Sequence, residues 1–311
     1  MIYTNYIKNG YLISDKLLEN EQVISLRKDL DAEFQNHRNV VKHLYEFKNS
    51  DLIKRIYNLY KHRIINQIKN ELLKISENKI SVLPEFMVHK NYHVDLRERH
   101  GWHRDCGGEM DYDYCNEILG KKNYLFSKLA FYLQENNEYG GSIDIIKTSH
   151  KNFSKPTVIL RKIKNIPFRI IVFFHKYLRK IYNLIPESLI MSILNAKRLN
   201  PEVGTAVFFD SRIIHRGSPI SKKKLNEISF EKGKYQAYTP KENTKYTIYC
   251  QFGTSQATDS YFYDRLKRKN FSDELKDWIR QVDHVSKFDK ELSEEIISIL
   301  EPIKKKYSNY L

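Results

Sequence analysis

Cysteine, glycine, proline and tryptophan are all scarce in this chain, and each scarcity removes a class of protein. The three cysteines, Cys106, Cys115 and Cys250, are too few for a disulfide scaffold. They include no CxxC pair, which argues against a structural zinc site. An odd set of thiols points to a reducing compartment, so the cytoplasm is the expectation. Eleven glycines and eight prolines in 311 residues exclude a collagen-like repeat, and no low-complexity linker or internal repeat is present. A secretory leader is also missing from the expectation: MIYTNYIKNGYLISDKLLENEQ has neither an apolar h-region nor a small-residue cleavage site. Long apolar runs are lacking too. The most hydrophobic region, 166–194, is interrupted by Arg169, Lys176, Arg179, Lys180 and Glu187, so it does not read as a membrane span.

What remains is a chain with 41% hydrophobic and 29% charged residues, which excludes wholesale disorder. At roughly 150 residues per domain its length suits one large domain or two small ones. Basic residues exceed acidic ones by 53 to 38, a formal net charge of +15 that favours anionic partners. The excess is concentrated. Between Lys151 and Asn200 stand eleven lysines and arginines against a single acid, Glu187. In RIIVFFHKYLRKIYNLI these bases alternate with apolar residues at helical spacing. Two readings are open: a surface or lid that meets an anionic substrate or lipid headgroups, possible through 155–198, and a packed helical insertion with a solvated basic face.

The pattern along the chain predicts an α+β fold with a mainly β core. Ser14 or Asp15 is expected to cap a helix carrying Leu17, Leu18, Val23, Ile24, Leu26 and Leu30, and a second helical pattern runs from Asp51 to Ile75. From Val82 the runs shorten to strand length: FMVHKNYHVDL, KLAFYLQ, GSIDIIK, TAVFFDS and KYTIYCQFG. These predict an antiparallel core over 82–256, with the basic segment at about 151–200 as a helical insertion between strands. Helical periodicity returns from Ser272 to about Lys305. The expectation is one domain over 1–311: a helical part at 1–80, the core, and C-terminal helices at 271–306.

Two phrases carry chemistry. In GWHRDCGGE, His103 and Asp105 would share one face of a strand, bringing an imidazole and a carboxylate together. In VGTAVFFDSRIIHRGSP an apolar strand ends at His215 before a Gly-Ser-Pro turn. Each alone is equally an ordinary surface pair or a strand-end histidine. Together they make the two-imidazole, one-carboxylate set that holds Fe(II) with open positions.

Four stretches in order, GYLISDKLLENEQVISLRKDLD, WHRD, FYLQENNEYGGSIDIIKTSHK and VGTAVFFDSRIIHRGS, resemble the phytanoyl-CoA dioxygenase family of iron(II)- and 2-oxoglutarate-dependent oxygenases. The likeness covers about 200 residues, leaving out the basic segment and the C-terminal helices. It implies a double-stranded β-helix (jelly roll, cupin-like), Fe(II) held by His103, Asp105 and His215, and 2-oxoglutarate and dioxygen as co-substrates. It implies hydroxylation of a C–H bond of a small metabolite as the default outcome, with desaturation, cyclisation or epimerisation left open. The carboxylate of Asp105 speaks against halogenation, because related halogenases lack it.

The family's arginine for the far carboxylate of 2-oxoglutarate is absent from TKYTIYCQFGT. The best-placed base there is Lys245, which balances the charge without the bidentate fork. Arg216 and Arg212 are the substitutes, and Thr247, Tyr249 and Gln134 are further candidates for the co-substrate pocket, each equally an ordinary core or strand-end residue. Trp102 is a candidate pocket wall. His89 and His93 are candidate substrate contacts, and His150 belongs to a turn-shaping phrase and is expected not to bind metal. Cys106 is read as inert packing. The substrate expectation is a small anionic molecule such as an acyl-CoA, nucleotide-linked sugar, phosphorylated metabolite or lipid-carried group. The rival classes are a catalytically silent jelly-roll binding protein, a nucleic-acid binder, disfavoured for want of any RNP-like or helix-turn-helix signature, and a membrane-surface protein without chemistry. Oligomeric state is not legible.

Overall fold

The computed structural model describes residues 2–34, 40–73, 80–91, 93–95, 102–105, 125–135, 141–154, 166–178, 185–219, 236–238, 244–259, 271–306 and 308. The helices are α1 (Ile2–Asn9), α2 (Asn20–Phe34), α3 (Ser50–Tyr60), α4 (Arg63–Leu73), α5 (Ile166–Tyr177), α6 (Glu187–Ile193), α7 (Phe271–Ser286) and α8 (Lys290–Lys306). The strands are β1 (Tyr11–Ile13), β2 (Val40–His43), β3 (Ile80–Asn91), β4 (His93–Asp95), β5 (Phe126–Tyr132), β6 (Ile143–Ile146), β7 (Ala196–Leu199), β8 (Ala206–Asp210), β9 (His215–Gly217), β10 (Gln236–Tyr238) and β11 (Lys245–Thr254). Helices thus combine with antiparallel sheets, as the α+β expectation requires.

A six-stranded sheet runs β1-β8-β5-β11-β3-β2, a three-stranded sheet runs β7-β6-β9, and β10 pairs with β4. Alternation along the strands explains how they stack. On β11, Tyr246, Ile248, Cys250 and Phe252 point into a large apolar cluster with residues of α2, α3, α4, α7 and α8. Residues of the opposite face of the large sheet, Ala130, Tyr132, Val207 and Phe209, pack with Ile143, Ile145 and Leu199 of the small sheet. Helices therefore back one face of the large sheet and the small sheet covers the other. The β11–β3 register shifts between Tyr249 and Gln251. The irregularity falls opposite Pro84, which has no N–H to give to a ladder, and two residues on the Phe86 N–H donates to Gln281 Oε1 of α7 at 2.8 Å.

Several expected boundaries shift, for local reasons. The helix expected from Ser14 begins at Asn20. Leu17 and Leu18 instead lie in a buried turn whose amides both donate to Gly204 O, and Ser14 Oγ accepts the Ala206 amide. Gly204 has φ +82°, and a Cβ there would collide with Leu18 O. The Asp51–Ile75 pattern is two helices, separated where Lys61 ends α3 and reaches Asp289 and Glu291. The C-terminal pattern also divides, with Asp289 Oδ1 accepting the Leu292 amide at the start of α8.

The basic segment is not wholly helical: β7 at its end is a strand of the small sheet. Its helices α5 and α6 bring Ile171, Ile190 and Leu194 onto the outer side of that sheet, against Trp102 and Ile214. This is why Ile143, Asp144 and Ile145 are all buried in spite of alternation. Among the described residues, no helix is long and apolar enough to cross a membrane.

Candidate metal centre

His103 and Asp105 do not lie on a regular strand, contrary to the expectation. They are held by backbone pairing to the segment that carries the distant histidine. His103 N–H donates to His215 O at 2.8 Å and His215 N–H to His103 O at 2.9 Å, an isolated antiparallel bridge. Two residues on, Asp105 N–H donates to Ser211 O at 3.2 Å, and Arg104 Nε donates to Arg212 O at 3.0 Å. The bridge does the work that strand alternation was expected to do. It brings together two histidines 112 positions apart in the chain.

The outcome is compact. Asp105 lies 3.7 Å through Oδ1 from His103 Nε2 and 3.5 Å through Oδ2 from His215 Nε2. The histidine ring centroids are 4.4 Å apart. One donor atom from each of the three residues lies within 4.8 Å of the others, and no other such cluster of His, Cys, Asp or Glu occurs among the described residues. His215 is buried, and its Nδ1 lies 3.1 Å from Ile213 O. A proton on Nδ1 satisfies that contact and leaves the Nε2 lone pair facing Asp105 and His103. Burial, with Asp105 opposing it, pushes His215 down to about 4, so the ring is a neutral donor at physiological pH.

The Asp105 carboxylate has a neighbour that the sequence reading missed. Lys128 Nζ on β5 lies 3.7 Å from Asp105 Oδ2 and 3.9 Å from Glu85 Oε1. The signal was a lone lysine in the otherwise apolar FSKLAFY. Lys128 belongs to the same inner face of the large sheet as Ala130 and Tyr132. His89, weighed in the sequence as a substrate contact, is on this face too: its ring is 4.5 Å from that of Tyr249, and burial pushes it down to about 4.

The candidate cations separate clearly. Lys245 begins β11 and is 7% exposed. Its chain lies against Gly141, where φ is +80° and a Cβ would collide with Lys245 Cδ and Nζ. Burial pushes its ammonium down to about 7. Thr247 and Tyr249 share its face, and Tyr249 packs on the cluster containing Phe209, whose ring is 4.8 Å from that of His215.

Arg216 is differently placed. It is 0% exposed, donates Nε and Nη2 to Asp144 Oδ2 at 3.1 and 2.9 Å, contacts Glu187 of α6, and sits over the Trp102 ring at 4.4 Å. Asp144, also 0% exposed, receives Arg198 and Ser218 as well. This buried aspartate was the second omission, though an acid inside SIDIIK was a visible sign. Arg212 is engaged by Asp210 through its backbone N–H, Nε and Nη2. Trp102, weighed as a pocket wall, packs in the outer cluster under α5 and α6 and carries this guanidinium over its ring. Gln134 Oε1 accepts the Tyr246 amide at 2.8 Å, and His150 packs on Gly10 with Nε2 3.0 Å from Ile7 O, which gives both structural contacts. The side chain of His93, and Cys106 and Cys115, lie outside the described residues.

Comparison of the sequence with protein-family models gives no match, and comparison with curated proteins gives none. Solved structures do resemble the fold. HygX from Streptomyces hygroscopicus, with nickel and 2-oxoglutarate bound, is 11% identical, with 81% of this chain and 86% of that one covered at a TM-score of 0.48. SnoN, a non-heme alpha-ketoglutarate-dependent epimerase from nogalamycin biosynthesis, is 10% identical with 82% of each chain covered and a TM-score of 0.44. The non-heme monooxygenase ThoJ is 9% identical with 82% and 78% covered, also at 0.44. With similarity this distant, no residue role is transferred from them, and the chemistry below rests on this chain's own side chains.

Proposed function

We propose that this chain is a non-haem oxygenase that uses Fe(II) and 2-oxoglutarate, built on a jelly-roll core. The observation that carries the reading is the convergence of His103, Asp105 and His215. The donor set fits the ion: two imidazoles and one carboxylate suit Fe(II). The facing six- and three-stranded antiparallel sheets support the jelly roll, and the four sequence stretches support the family resemblance.

When bound, Fe(II), 2-oxoglutarate and dioxygen supply the oxidising power for attack on a C–H bond. The protein's part is placement. His103, Asp105 and His215 would hold the ion, and the His103–His215 bridge fixes their spacing. Lys128 offsets part of the Asp105 charge. Lys245, a buried lysine at the start of β11, would offer the cation for the far carboxylate of 2-oxoglutarate. Thr247, Tyr249 and Tyr132 border the space between. Arg216 remains committed to Asp144 and Glu187 and acts as a positioning residue behind both histidine segments. The substrate is proposed to be a small anionic metabolite, supported by the basic segment that packs over the small sheet.

The test is anaerobic addition of Fe(II) and 2-oxoglutarate to the purified chain. A weak visible charge-transfer band, lost in Asp105→Ala, is the expected result. A full complement of bound metal without the band would identify a silent binding protein and reject the oxygenase reading.

A further inference from the structure

Exposed large apolar side chains are usually scattered singly over a protein surface. Here they are not. Among the described residues, seven of the twelve such side chains fall between Ile166 and Ile193, on α5, α6 and the residue after α5. Ile166, Ile170, Phe173 and Tyr177 recur at intervals of four, three and four, which places them on one face of α5 over roughly 18 Å of helix. Phe173 is 51% and Tyr177 63% exposed. The opposite face is apolar as well, with Ile171 buried and Phe168 and Phe174 packed beside it. Helix α6 repeats the arrangement, with Ile190 buried and Leu189 and Ile193 exposed. A helix that is apolar on both sides suits burial on both sides, yet among the described residues only one side is covered.

The charge around this stripe identifies the cover. The segment from Lys151 to Asn200 holds eleven basic residues and one acid, and that acid, Glu187, is turned inward onto Arg216. The ridge is therefore carried by the most basic stretch of the sequence, and Arg169 is exposed beside it. A second copy of the chain seated symmetrically would bring two basic segments face to face, which is repulsive. Nucleic acid would meet the charge and leave the ridge wet. An anionic bilayer answers both features, since apolar side chains enter the headgroup boundary while Lys and Arg meet the lipid phosphates.

We propose that the exposed face of α5 and α6 docks this protein on an anionic lipid bilayer, with Ile170 and Phe173 inserted. The inference stands apart from the oxygenase reading, because docking needs no metal. Its location bears on that reading all the same. The inner face of the same helices packs on Trp102 and Ile214, the residues just before the two histidines of the metal centre.

The experiment is co-sedimentation of the full chain with vesicles of phosphatidylcholine alone, and of phosphatidylcholine containing about a third phosphatidylglycerol. Binding to the anionic vesicles is expected. The charge-preserving double variant Ile170→Ala/Phe173→Ala should weaken it by about tenfold or more. Ile297→Ala, an exposed apolar residue of α8, should leave it unchanged, and far-ultraviolet circular dichroism verifies the fold of each variant. Absence of binding overturns the proposal. So does binding that the double variant does not alter, which would be general adsorption of a basic chain. A dimer in analytical ultracentrifugation that the double variant abolishes would assign the ridge to a second copy, and would overturn it equally.

Discussion

The two faces of β11 have opposite characters. Toward the helices the strand presents Tyr246, Ile248, Cys250 and Phe252, all buried in one apolar cluster. Toward the small sheet it presents Lys245, Thr247, Tyr249 and Gln251, and the first of these is a buried ammonium. The first face holds the fold together, and the second burdens it with polar groups in a dry interior. The same contrast recurs between the two buried cations. Arg216 is engaged by Asp144 and Glu187, a stabilising arrangement so long as it is complete, whereas burial pushes the Lys245 ammonium down to about 7.

Removing one side of the completed network should have the largest effect. Arg216→Met leaves the buried Asp144 to Arg198 and Ser218 alone and the half-buried Glu187 against a thioether, and a loss of about 3 kcal/mol is expected in chemical denaturation. On the helix side of β11, Ile248→Ala should cost about 2–5 kcal/mol, whereas Thr247→Ala on the inner side should leave the unfolding midpoint nearly unchanged. Equal destabilisation by the two would erase the distinction between the faces. Lys245→Met should do the reverse of Arg216→Met. Thermal melts at pH 6 should show a variant at least as stable as the parent, while the 2-oxoglutarate requirement rises on the order of a hundredfold, about two missing charge-assisted hydrogen bonds in a buried site. An unchanged requirement would remove Lys245 from the pocket.

The smallest expected effect is on pH dependence. With Lys245 at about 7 in the folded chain and near 10.4 when unfolded, the unfolded state binds more protons between those values. Its contribution to stability therefore rises with pH across that window, and the penalty is fully present below about pH 7. Binding of 2-oxoglutarate runs the other way, since the anion needs the protonated ammonium. Affinity should be greatest below about pH 7 and fall by up to about tenfold per unit between the pKa of the free chain and the higher pKa of the complex. Lys245→Met should flatten that slope in titration calorimetry.

Much of this contrast was readable in the sequence. KYTIYCQFG announces its two faces by alternation, and His103, Asp105 and His215 stand out as donors beside apolar strands. What was not readable depended on partners remote in the chain. Nothing between Ser14 and Leu18 shows that Gly204 will accept two amides and hold that turn out of the helix. The helical period continues through Lys61 and Lys287, so neither break could be placed from periodicity. Asp144 became interpretable only once α5 and α6 were seen to close the outer side of β6. The metal pair was expected on a strand, and a two-bond bridge achieves the same convergence with fewer residues.

That bridge has a consequence for measurement. His103 and His215 each give an amide proton to the other's carbonyl, so separating the two segments releases both protons in one opening event. Deuterium uptake should then report them as a matched pair, with equal rates that slow together when a divalent ion is added. Amides deep in β5 would keep their own slower clock. Assembly of the centre could be followed in solution without turnover, colour or a substrate in hand.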